Sequence, residues 1–119
     1  LSDGDYLGAG TSSSSFIRNT VVMPRAGTIT SITFHIREHA SDKSHIAEIY
    51  IQPIATFGGG AIATGQLVTQ AIGTPCINGA VAVVVAQCDL VSVRIKGVDH
   101  THSMSGGACV TIAYTPIKN

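Results

Sequence analysis

Thr28–Arg37 (TITSITFHIR) decides how this chain is read. Thr30, Ile32, Phe34 and Ile36 alternate with Ile29, Ser31, Thr33, His35 and Arg37. A period of two is the mark of a half-buried β-strand. Upstream, Phe16–Met23 (FIRNTVVM) reads as a strand stopped by Pro24, and Arg25, Ala26 and Gly27 as a turn. Downstream, Glu38–Ser44 is polar and reads as a loop. His45–Ile54 follows as a strand, with Ala47, Ile49 and Ile51 set against Glu48, Tyr50 and Gln52. Phe57–Gly60 is a glycine-rich turn, and Ala61–Ile72 reads as one or two short strands.

The second half continues the pattern. Asn78-Gly79 is a hairpin-type turn signal. Ala80–Ala86 (AVAVVVA) is apolar on both faces, which predicts a strand covered on both sides, by its own core and by a neighbouring subunit. Leu90–Val98 alternates again, with Val91, Val93 and Ile95 inward and Ser92, Arg94 and Lys96 outward. Asp99–Gly107 is a loop, and Ala108–Thr115 is the last strand, with Ala108, Val110, Ile112 and Tyr114 on one face. Roughly seven to nine short strands separated by turn residues predict an all-β sandwich or barrel. Leu1 to Ser15 reads as loop or N-terminal extension, and residues 1–119 as one domain.

Composition narrows the function. Of 119 residues, 45% are hydrophobic and only 12% charged, with Lys+Arg 7 balancing Asp+Glu 7. Soluble domains usually carry about 25% charged residues. Ser, Thr, Gly and Ala therefore cover the surface here. Such depletion fits a domain whose surface is partly buried in an oligomer, or a durable extracellular module. Zero net charge and the lack of a basic run argue against a nucleic-acid partner. No apolar stretch reaches the ~18 residues of a membrane helix, so no membrane insertion is expected. Leu1–Gly10 carries Asp3 and Asp5 and does not read as a signal peptide.

Chemistry-bearing residues are sparse. His35, His39 and His45 cluster in sequence, and His100 and His102 sit two apart. On a strand that pair points to one side and suits zinc, with Cys88 or Cys109 as a further ligand. No HExxH or paired CxxC spacing supports this, so the histidines are read as surface loop residues, with no metal and no cofactor. Cys76, Cys88 and Cys109 are odd in number, so at least one thiol pairs between chains or not at all. Cys76–Cys88 and Cys88–Cys109 bridges both stay open, and the preferred reading is three small buried thiols. The acids are scattered, no GxSxG elbow is present, and Gly58-Gly59-Gly60 lacks the Lys of a phosphate loop. The chain is not expected to be an enzyme.

Val22–Ile32 (VMPRAGTITSI) resembles a segment of the C-terminal domain of collagen-like exosporium glycoproteins of spore-forming bacteria, the BclA/BclB type. Met23, Pro24, Arg25, Gly27, Thr28, Ile29, Thr30 and Ser31 match that family's pattern. Weaker echoes are Ala47–Gln52 (AEIYIQ) and Gly106–Ala113 (GGACVTIA), and the cysteines and histidines depart from it. The resemblance implies a jelly-roll β-sandwich like those of tumour necrosis factor and the complement collagen-like proteins. It implies a homotrimer at the tip of a collagen-like filament on the spore surface, with a structural, display and adhesive role and no catalysis. A trimeric knob sets three collagen chains in register. Val83, Val85 and Tyr114 are the expected trimer-interface residues, chosen for apolar excess. Possible further partners are a surface receptor or a glycan. Two other classes compete: the receptor-binding tip of a phage fibre or adhesin, and a small metal-dependent β-barrel enzyme using the histidines.

Overall fold

The computed structural model describes residues 6–7, 12–13, 16, 19–36, 45–56, 59–70, 74, 76–97 and 108–117. Among them there is no α-helix. The strands are β1 (Tyr6–Leu7), β2 (Ser12–Ser13), β3 (Val21–Val22), β4 (Gly27–Ile36), β5 (His45–Gln52), β6 (Ile62–Gln70), β7 (Cys76–Val85), β8 (Leu90–Gly97) and β9 (Ala108–Pro116). A short 3-10 turn spans Ile54–Thr56.

Two antiparallel sheets form. The first runs β2-β1-β8-β5-β6, with β3 also pairing with β8. The second runs β7-β4-β9. The chain crosses from sheet to sheet between β3 and β4, β4 and β5, β6 and β7, β7 and β8, and β8 and β9. Antiparallel pairs nest inside one another: β5 with β6, then β4 with β7, then β3 with β8. The chain is thus one long hairpin, folded over so that β5 also meets β8 and β4 also meets β9.

The core lies between the sheets. Ile29, Ile32 and Phe34 of β4 meet Ala47 and Ile49 of β5 and Ile95 of β8, each with no exposed surface. Val91 and Val93 point inward as their alternation predicts. Burial of such side chains contributes ~1.5–3 kcal/mol each and is the main stabilising term.

Several expectations are corrected. Ser12–Ser13 is not loop: with Tyr6–Leu7 it forms a hairpin added to the edge of β8. Only Val21–Val22 of the Phe16–Met23 segment is described as strand. Thr30, which strict alternation sets on one face with Ile32 and Phe34, is exposed while they are buried, and Ile29 from the other set is buried with them. The cause is a bulge between Ile29 and Ser31, where β4 has one residue more than β9. An extra residue shifts the phase of every side chain before it.

Asn78-Gly79 is no turn either, because β7 runs unbroken through it. Asn78 donates to Thr33 Oγ1 across the strand pair at 2.7 Å. A Cβ on Gly79 would stand 2.2 Å from Val68 Cγ1, so glycine is there to admit the valine from the facing sheet. The turn comes later, at Ala86–Asp89. There Asp89 is buried, and its carboxylate accepts from Ala86 N and Ile54 N, both at 2.8 Å. Cys88 takes the left-handed conformation at φ 74.

Candidate subunit interface

The second sheet has an outer face of an unusual kind. Its cross-strand registers align in rows, each with a β7, a β4 and a β9 residue. In order along the strands, the rows are Cys76–His35–Cys109, Asn78–Thr33–Thr111, Ala80–Ser31–Ala113 and Val84–Thr28–Thr115. Thr30 and Ala82 lie on the same face and are exposed. Among the described residues no Asp, Glu, Lys or Arg occurs on it. Apart from His35, its described residues are small or β-branched and uncharged, with Val84 standing out at 76% exposure. Arg25, just beyond the last row, is held by a bond to Ile117 O at 3.2 Å.

The outer face of the first sheet is the opposite. Arg94 lies 5.5 Å from the Tyr6 ring and 5.7 Å from the Tyr50 ring, and donates to Tyr50 Oη at 3.3 Å. Tyr6 also meets Phe16 edge to face. Lys96 stands 3.9 Å from Glu48. Such groups need water or one another. The domain therefore has one face suited to solvent and one suited to another protein surface, where charge depletion is the compositional signal.

The structure turns the expected interface residues inward. Val83 and Val85 are 5% and 2% exposed and belong to the core of their own chain. Tyr114 is half-buried against that core, and its hydroxyl donates to the Arg25 carbonyl. The apolar excess of β7 is offered to the outside by Val84 instead. In a run apolar on both faces nothing local sets the phase. It is set from the strand's other end, where Cys76, Asn78 and Ala80 are exposed in the same parity as Val84.

The two described histidines, His35 and His45, do not converge. His35 is exposed on β4, whereas His45 is fully buried in the other sheet, with Nδ1 3.3 Å from Gln70 Oε1. His39, His100 and His102 lie outside the described residues. Among the described residues no group of three His, Cys, Asp or Glu side chains is placed to hold a metal ion. All three cysteines are exposed thiols rather than buried ones.

A second feature is an open groove of ≈ 180 Å³ between the sheets on the β9 side. Leu7, Val21, Val91, Val93, Val110 and Ile112 line it, with Ser92, whose hydroxyl donates to Leu7 O at 3.0 Å. The opposite side is closed, where Ala82 N of β7 donates to Gln66 Oε1 of β6 at 3.1 Å. Its described lining is apolar apart from the Ser92 hydroxyl. No helix among the described residues is long and apolar enough to cross a membrane. No protein-family model matches the chain, and neither curated proteins nor solved structures give a match.

Proposed function

We propose that this chain is a jelly-roll trimerisation and display domain, joined to its copies through the outer face of the β7-β4-β9 sheet. The nested pairs β5–β6, β4–β7 and β3–β8 support the jelly roll, because a rolled-up hairpin produces that order. The uncharged face carries the assembly reading. A solvated β-face in a small domain normally bears charged residues, and among the described residues this one has none while the opposite sheet has Glu48, Arg94 and Lys96. The number three, the collagen-like filament and the spore-surface location come from the resemblance at Val22–Ile32. A globular trimer is what a collagen stalk needs to align its chains. The role is structural and extracellular, with itself as first partner and a receptor or glycan as a possible cargo of the display.

The test is a charge placed on the face. Val84→Asp leaves the core untouched and puts a carboxylate into the contact. The expected product is a folded monomer, with an unchanged circular-dichroism spectrum and one-chain mass by light scattering. A variant that stays fully assembled would remove this face from the interface.

A further inference from the structure

The Cys76–His35–Cys109 row ends the uncharged face, and among the rows described there it alone carries His or Cys. Within one chain this row does not make a metal site. Its members stand side by side on a pleated surface, ~4.8 Å apart, and project in parallel rather than towards a common centre. Accordingly, the described residues place no group of three His, Cys, Asp or Glu side chains for an ion. His35 has a position its neighbours lack. It is exposed, and it belongs to β4, the middle strand of the sheet.

We infer that three copies of His35, one from each chain, bind a single zinc-class divalent ion on the three-fold axis of the assembly. This rests on the trimer reading above. The other described β4 residues of the face, Thr28, Thr30, Ser31 and Thr33, are all small and uncharged. Three such strands can approach one another equally at every height, which sets the rotation axis along them with β4 nearest to it. Closed rotational symmetry brings each β4 residue level with its own two copies. For serine and threonine that meeting is undemanding. For His35 it sets equivalent ring nitrogens against one another, donor facing donor or acceptor facing acceptor. Polar atoms buried in that way stay unsatisfied, which is costly. A cation on the axis removes the conflict by accepting a lone pair from each ring.

Three imidazoles with one open position are a known donor set of tetrahedral zinc, at Zn–N distances of roughly 2.0–2.1 Å. A tetrahedron has three-fold axes, so the symmetry of the ion and of the assembly agree, and the fourth ligand is a water on the axis. Imidazole nitrogen suits zinc, copper and nickel, whereas calcium and magnesium take oxygen ligands and do not fit. Cys76 lies one strand further from the axis and is not a ligand. The ion ties the three chains together at the end of the strands opposite Val84.

The experiment titrates Zn²⁺ into chelator-stripped wild type, His35→Ala and Cys76→Ser under a phosphine reductant. Equilibrium dialysis counts the bound ions, light scattering reads the assembly, and thermal unfolding reads stability. The expected result is a trimer without metal in all three proteins. Wild type and Cys76→Ser should bind one zinc per three chains and unfold at a higher temperature with it, and His35→Ala should lose both effects. Co²⁺ in place of zinc reads the donors without any variant, and its absorption spectrum should lack a thiolate charge-transfer band. A trimeric wild type that binds no zinc, binds one ion per chain, or binds as His35→Ala does would overturn the shared site and leave the interface standing. A thiolate band in the Co²⁺ spectrum would overturn the three-histidine donor set. A wild type that is monomeric with and without zinc would overturn the interface and the site with it.

Discussion

At Cys88 a non-glycine residue sits in the left-handed region, at φ 74. A side chain there costs ~1–2 kcal/mol, partly offset because glycine loses more entropy on folding. Cys88→Gly should therefore raise stability by about 0.5–1 kcal/mol, read as a higher urea midpoint under reductant. Its neighbour Asp89 works in the other direction. Each of its carboxylate oxygens accepts a backbone N–H, from Ile54 and from Ala86, in a buried position. Asp89→Ala leaves two donors without an acceptor and should cost about 2–4 kcal/mol, with Asp89→Asn intermediate. Equal midpoints for Asp89→Ala and wild type would show that water replaces the carboxylate. Neither role is legible in the sequence. Gln87-Cys88-Asp89 contains no Gly or Pro to announce a turn, and Asp89 reaches a residue 35 positions away.

At the scale of the strand, β7 and β4 show where alternation succeeds and where it fails. Val91, Val93 and Ile95 of β8 alternate with polar residues, so their inward placement was readable. β4 alternates only on either side of Thr30, because the bulge there shifts the phase. A bulge depends on what the neighbouring strands demand, and no local residue type encoded this one. In β7 the Asn78-Gly79 pair imitates a hairpin, yet the glycine answers the packing of Val68. Gly79→Ala should therefore destabilise by about 1–3 kcal/mol, the usual cost of overpacking. A tolerated alanine would mean that Val68 has room to move. The Val83/Val84 pair tests the phase of β7 directly. Val83→Asp puts a charge in the core and should abolish folding, whereas Val84→Asp should leave the monomer folded. Reversed outcomes would mean that β7 is turned over.

At the scale of the whole molecule, the all-β class was legible and the uncharged face was not. Strand count and turn punctuation are local properties, and they pointed to an all-β sandwich. The uncharged face exists only once β4, β7 and β9 lie side by side in register. The same holds for the Cys76–His35–Cys109 row, whose two cysteines lie 41 and 74 residues downstream of His35. Low overall charge was a trace of that face, since 12% charged residues had to be distributed somewhere. Of those described, Glu48, Arg94 and Lys96 belong to the first sheet, and none to the described outer face of the second. The central claim is that the bare face joins three copies. Light scattering on wild-type protein eluting from a size-exclusion column, under reductant, tests it most directly. The account predicts a mass near three times 12.3 kDa. A mass of one chain would contradict it and leave the uncharged face without its explanation.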